Sequence, residues 1–123
     1  MADPNRLRIK TPGNAHGKLY EPRAAKKLGA RLTPNSGATV GSKGDMRTAL
    51  WLIESKTTVN QSLAMELAWL VKITEEASTS MRNPALLFSF VLPDGRPRPN
   101  ASTEWVAMPL HLFQELTDGP SSR

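Results

Sequence analysis

The sequence contains no cysteine. That excludes a disulfide framework, a thiolate zinc site and a cysteine nucleophile. It also lacks any long hydrophobic run. The longest, Ala85 to Leu92, is interrupted by Ser89 and falls far short of the ~20 residues that span a bilayer. The opening MADPNRLRIK has no apolar core of the kind a secretory signal needs. No internal repeat and no second domain are visible. Only two histidines occur, His16 and His111, and neither has the neighbours of a zinc site. The expectation is a soluble, intracellular, cytoplasmic protein (host cytoplasm if viral) with no membrane partner and no small-molecule cofactor. A chain of 123 residues buries about two-thirds of its unfolded surface, enough for one core without a staple.

What is present is an uneven charge. Up to Asn60 there are eleven Lys and Arg against four acids, whereas the remainder holds five against seven. A basic half beside an acidic one suggests a polyanion, nucleic acid foremost, lying across the first half.

Along the chain, residues 1–14 read as a flexible basic arm, residues 15–118 as a single domain and residues 119–123 as a tail. Pro22 predicts a helix that starts near Tyr20 or Glu21, and Gly29 predicts its end. Ala30 to Thr33, Asp45 to Ala49 and Leu50 to Lys56 are strand candidates. Residues 61–77, free of Gly and Pro, predict a long helix packed on more than one side. ALLFSFVL (85–92) reads as a buried strand bounded by Pro84 and Pro93. PDGRPRPN is a turn-rich loop, Glu104 to Met108 a last strand and Leu110 to Leu116 a closing helix. The fold class is α/β: a small mixed β-sheet flanked by helices, with the third and fourth strands parallel across a helical crossover.

The residues that carry chemistry are Asp45 and then Glu54-Ser55-Lys56. On a strand, Glu54 and Lys56 share a face with Leu52, while Trp51, Ile53 and Ser55 face the other way. A carboxylate and an ammonium at the end of an apolar strand are costly to bury without a use. With Asp45 from a neighbouring strand they make an oxygen-ligand site suited to Mg²⁺. Phosphodiester hydrolysis is the reaction that needs such a site, with Lys56 offsetting charge that develops in the transition state.

With Glu21 on the first helix and the glycine-rich SGATVGSKGD upstream, the chain resembles the PD-(D/E)xK nuclease superfamily. Within it, the archaeal and phage Holliday-junction resolvases are the most similar in pattern. The resemblance runs from about His16 to Phe90. It rests on Glu21 in a helix ending KKLGARLT, Ser36-Gly37, Gly44-Asp45, IESK (53–56) and the helix–strand unit that follows. Gly44 stands where the superfamily's name motif has proline. The resemblance implies a restriction-endonuclease-like core. It implies Mg²⁺, with Mn²⁺ as a substitute, held by Glu21, Asp45, Glu54 and the backbone carbonyl of Ser55. Lys56 is then catalytic, and Ser36 lies near the scissile phosphate. The implied activity is a structure-selective endodeoxyribonuclease of DNA recombination, nicking branched four-way DNA as a homodimer. Another nuclease of the superfamily, or a non-catalytic DNA-binding protein with a nuclease-like fold, are the alternatives.

Arg6, Arg8, Lys10, Lys18, Arg31, Lys43 and Arg47 are the candidate DNA contacts, and some of Arg23, Lys26 and Lys27 should lie near the cleft. Gly37, Gly41, Ser42 and Gly44 could present backbone N–H groups to a phosphate. Trp69, with Met65 and Ile73 at helical spacing, reads as core, with a subunit interface as the alternative. Trp51 and Trp105 read as core or interface.

Overall fold

The structure is a computed structural model that describes residues 15–34 and 45–119. Arg6, Arg8, Lys10, Ser36, Gly37, Gly41, Ser42, Lys43 and Gly44 lie outside the described residues, as do the expected arm and all but the first residue of the tail. The elements are α1 (Ala15–Leu28), β1 (Arg31–Leu32), β2 (Met46–Arg47), β3 (Trp51–Thr58), α2 (Leu67–Thr79), β4 (Asn83–Phe90), β5 (Glu104–Ala107) and α3 (Leu110–Asp118). The fold is mixed α/β, and its five strands form one sheet in the order β1-β2-β3-β4-β5. As the sequence predicts, β3 and β4 are parallel, and the other neighbouring pairs are antiparallel. None of the described helices is long and apolar enough to cross a membrane.

The strand alternation of β3 sorts two cores onto the two faces of the sheet. Ile53, with Met46, Ala85, Leu87 and Val91, packs beneath Tyr20, Ala24 and Ala25 of α1. Leu52, with Leu86 and Phe88, packs beneath Ile73 and Ala77 of α2. Among the described residues nothing covers Leu67 and Val71 of α2, which are exposed, whereas the sequence predicts a helix packed on more than one side. Helix α1 is also tied across the sheet to β5. The buried Tyr20 hydroxyl donates to Glu104 Oε2 at 2.6 Å, and Lys27 Nζ lies 2.7 Å from Glu104 Oε1.

Several boundaries differ from the sequence expectation, and three of them have a clear physical reason. Helix α1 begins at Ala15 and runs through Pro22. Proline inside a helix costs about 3 kcal/mol in a free helix. Here Pro22 is exposed while Gly17, Tyr20 and Ala24 are buried on the opposite face and Ala25 is buried beside them, so packing holds the helix on both sides of it. Helix α2 begins at Leu67, not at 61, because the chain from β3 must first cross to the helix layer, and Leu63 packs against the α2-side core on the way. Strand β4 begins at Asn83, so Pro84 lies within it rather than before it. The Asn83 N–H points toward β3, donating to the Leu50 carbonyl at 2.7 Å. The next nitrogen therefore points the other way, where β5 pairs only from Leu86 onward, and no ladder bond is lost at the proline.

Two glycines set how α1 sits. At Gly29 (φ +64°) the chain turns left-handed. The N–H of Gly29 then reaches the Lys26 carbonyl and that of Ala30 reaches the Ala25 carbonyl, which is the Schellman closure. Gly95 (φ +87°) sits in the loop after β4, directly against α1. A Cβ there would lie 2.6 Å from Leu19 Cβ and 2.9 Å from its carbonyl carbon, whereas at Gly29 it would meet nothing within 4 Å. Gly29→Ala should therefore lose only the left-handed penalty, about 1 kcal/mol. Gly95→Ala adds a backbone clash and should lose roughly 2–3 kcal/mol or more. Urea denaturation of the two variants checks this, and equal losses would contradict the close packing of the loop on α1.

Candidate functional site

The site arises where the sheet stops being regular. Strand β3 has eight residues, but β2 pairs with only Leu52 and Ile53. Among the described residues, no strand pairs with β3 on its β2 side beyond Ile53. Backbone groups of a strand alternate between its two edges, and the Ile53 carbonyl, accepting from Asp45 N at 2.9 Å, marks the β2 side. Ser55 and Thr57 therefore present their N–H and C=O groups on that same side. Asp45 takes over where the strand pairing ends, its Oδ2 accepting the Ser55 N–H at 2.6 Å. Two residues on, the Thr57 carbonyl lies 3.3 Å from His16 Nε2 on α1.

Around this open edge lies a cleft of about 370 Å³ into which both faces of the sheet contribute. Lys18 and Glu21 enter it from α1, Asp45 from the start of β2, Glu54 and Lys56 from β3, and Trp69 from α2. The sequence expectation that Glu21, Asp45, Glu54 and Lys56 meet is thus fulfilled in space, with the Ser55 backbone among them.

The electrostatics are those of crowded carboxylates with limited cation support. Glu54 lies between two lysines, Lys56 Nζ at 3.6 Å and Lys72 Nζ at 3.8 Å, and Lys72 also reaches Glu76 at 3.3 Å. Even so, burial and the nearby Asp45 raise the Glu54 pKa above its usual range. Glu21 is pushed up to about 7, first by burial and then by Asp45 and Glu54, with Lys18 pulling the other way. For Lys72, partial burial lowers the pKa, but Glu54 and Glu76 outweigh it and the net shift is upward. Lys56 carries its ammonium 4.4 Å from the centre of the Trp69 ring, a cation–π contact that fixes its direction.

Trp69 and Lys72 are the two site residues that sequence reasoning missed. Trp69 is half-buried, its ring 6.4 Å from Phe88, so it is a cleft wall as much as core. The Lys72–Glu76 spacing of four was visible in the sequence, but which way that helix edge faced was not. Met65 of the expected core stripe is exposed and precedes α2, so the stripe reduces to Trp69 and Ile73. Trp51 packs against the α1-side core, whereas Trp105 is 60 % exposed and is not core. Lys27 is engaged with Glu104. Lys18 lines the cleft, but Arg31 and Arg47 do not. They line a separate hollow at the other end of β2.

The donors facing the cleft are all oxygen, a set suited to a hard divalent ion. Among the described residues no group of three or more His, Cys, Asp or Glu side chains is close enough together to form a metal cage by itself. No family model, curated protein or solved structure matches the chain.

The raised Glu21 pKa has a consequence for stability. Between the unfolded value, 4.5, and about 7, the folded state binds the extra proton. Stability therefore falls as pH rises through that window and stays lowered above it. Since Glu21 is half-buried, solvent screening reduces the effect to on the order of 1 kcal/mol. Glu21→Gln should raise Tm by a few degrees at pH 8 and change it little at pH 4. An unchanged Tm at pH 8 in metal-free buffer would mean that the carboxylates are not crowded.

Proposed function

We propose that the protein is a Mg²⁺-dependent, structure-selective endodeoxyribonuclease with a restriction-endonuclease-like core, nicking four-way DNA junctions as a homodimer. The observation that carries this reading is the meeting of Glu21, Asp45, Glu54 and Lys56, from three separate segments, in one cleft at an open strand edge.

Asp45, Glu54 and the Ser55 carbonyl are the donors for the ion, with Glu21 facing them across the cleft. This donor set fits Mg²⁺, which takes one or two carboxylates and keeps several waters, so a three-carboxylate cage is not required. When bound, the ion would polarise the phosphoryl oxygen and make a bound water more acidic. It would also offset the burial, and after it the mutual repulsion, that raise Glu21 and Glu54. Lys56, held over Trp69, directs its positive charge at the place where the pentacovalent phosphorus gathers negative charge. Lys72 shares the load of Glu54, so that Lys56 is not the sole counterion of that carboxylate.

A twofold enzyme suits a nearly twofold junction. The reading of a homodimer is supported by an apolar surface at the end of the chain. In α3 only Leu112 is buried, while Leu110, Phe113 and Leu116 are all more than half exposed, as are Trp105 and Val106 of β5. Leu110, Phe113 and Leu116, spaced three apart, lie along one side of α3, and an exposed apolar stripe of this kind supports an association surface. Recognition of such a junction would be through its backbone and shape.

Cleavage of end-labelled four-way junction, linear duplex and single strand, with Mg²⁺ or with EDTA, tests the activity. Asp45→Asn and Glu54→Gln should each lower the rate by at least 100-fold while retaining junction binding, and Lys56→Ala should do likewise. Full activity in any of the three would remove that residue from the mechanism. Cutting of all three DNAs alike would make the protein a general nuclease, and binding without cutting would make it an architectural one. Separately, light scattering should find a dimer that Phe113→Glu converts to monomer. A dimer unaffected by Phe113→Glu and Leu116→Glu together would place the interface elsewhere.

A further inference from the structure

Arg31 and Arg47 stand directly opposite each other on β1 and β2. Like charges in that position, with Cβ atoms ~5 Å apart, are destabilising unless something neutralises them. A third arginine, Arg82, comes from the turn before β4. All three line one hollow of about 530 Å³, together with Gly29, Ala30 and Thr48. The Arg82 guanidinium is held from one side, its Nε donating to the Thr48 carbonyl at 2.8 Å and its Nη1 reaching the Ser80 carbonyl at 3.5 Å. Among the described residues, no carboxylate lines the hollow. Among the described residues, none of the three forms an ion pair.

A simpler account would have the arginines neutralise the carbonyl end of α1, which closes nearby. The Schellman bonds already occupy two of those acceptors, with Ala30 N on the Ala25 carbonyl and Gly29 N on the Lys26 carbonyl, and Arg82 is bonded to the Thr48 and Ser80 carbonyls rather than to those of Lys27 or Leu28. Three guanidiniums around a polar hollow without an acid instead match the geometry of a tetrahedral oxyanion, which arginine binds through paired N–H groups.

The hollow is also placed to extend the cleft. Arg47 pairs with Leu52 in the antiparallel register, so its side chain shares the sheet face of Leu52, Glu54 and Lys56. Arg31, opposite Arg47, lies on the same face. Along the strand, Leu52 and Glu54 are roughly 7 Å apart. The arginine row and the Glu54–Lys56 row are thus neighbours on one face of the sheet, close enough for one polyanion to meet both.

We propose that Arg31, Arg47 and Arg82 form a phosphodiester-binding site, separate from the carboxylate cleft, that holds the backbone of a DNA arm and sets its register against Glu54 and Lys56. The inference rests on the proposed nuclease function only for the identity of the polyanion as DNA.

The test is fluorescence anisotropy of labelled four-way junction over a several-fold range of KCl, in EDTA so that no cutting occurs. The variants are Arg31→Gln/Arg47→Gln, Arg82→Gln and their triple combination, with Arg→Lys counterparts. Each lost phosphate contact should lower the slope of log K against log salt by about one and weaken binding several-fold. The Lys counterparts should keep the slope while losing part of the affinity, because the charge remains and the fork does not. Should Arg82→Gln unfold through loss of its carbonyl bonds, the Arg31→Gln/Arg47→Gln pair still decides. Wild-type affinity and slope in that pair would overturn the site. A loss confined to stabilisation by inorganic phosphate, with junction binding intact, would overturn the assignment to DNA. If wild type cuts junctions but the pair binds normally, the inference fails and the nuclease reading stands. If nothing is cut yet the pair loses binding, the nuclease reading fails and the site stands.

Discussion

One hydrogen bond organises the site: the Ser55 N–H to the Asp45 carboxylate at 2.6 Å. Here a side chain supplies the acceptor that a neighbouring strand's carbonyl would provide in a regular ladder. A charge-assisted bond of this kind is stronger than a neutral ladder bond. It fixes Asp45 beside Glu54 at the price of a strand edge left without its ladder. The same edge lets α1 reach down with Glu21 and His16. Glu21, from the α1 side of the sheet, and Glu54, from the α2 side, meet in the cleft at that edge.

The charges gathered there do not balance in the ordinary way. Glu54 has two lysines near it, yet neither is within strong hydrogen-bond distance, and burial still lifts its pKa. Glu21 is lifted further. A purely structural ion-pair cluster would be expected to lower carboxylate pKa values rather than raise them. Strain of this sort is typical of sites built to receive a cation or a proton, and it is concentrated within a cleft whose remaining walls, Trp69 and Leu63, are apolar. Around it the two cores are simple: small and branched side chains beneath α1, and Leu52, Leu86 and Phe88 beneath α2.

Much of the element order was legible because local signals agreed with the tertiary arrangement. Gly29 ended α1 where a left-handed residue was needed, and the apolar run in β4 was long enough to require burial on both faces. The helix between β3 and β4 forced them parallel. The misplaced boundaries share one cause. At Pro22, at Gln61 to Glu66 and at Pro84, contacts distant in sequence outweighed local propensity, which is worth no more than about 1 kcal/mol per residue except at proline. In the site, Glu54 and Lys56 were legible from strand alternation alone. Trp69 and Lys72 were not, because the rotation of α2 about its axis is set by Ile73 and Ala77 settling on Leu52 and Leu86, not by anything within the helix.

The sequence by itself determined the mixed α/β class, the alternation that puts Glu54 and Lys56 on one face, and the concentration of positive charge in the first half. Those follow from covalent geometry and composition, which act at short range. Only the tertiary structure decided that Asp45 reaches Ser55, that Glu21 faces it from the other side, and that Arg31, Arg47 and Arg82 surround one hollow. Each of these depends on where β2 stops and how the helices settle on the sheet. Both are set by the summed packing of two cores, to which no local stretch of sequence holds the key.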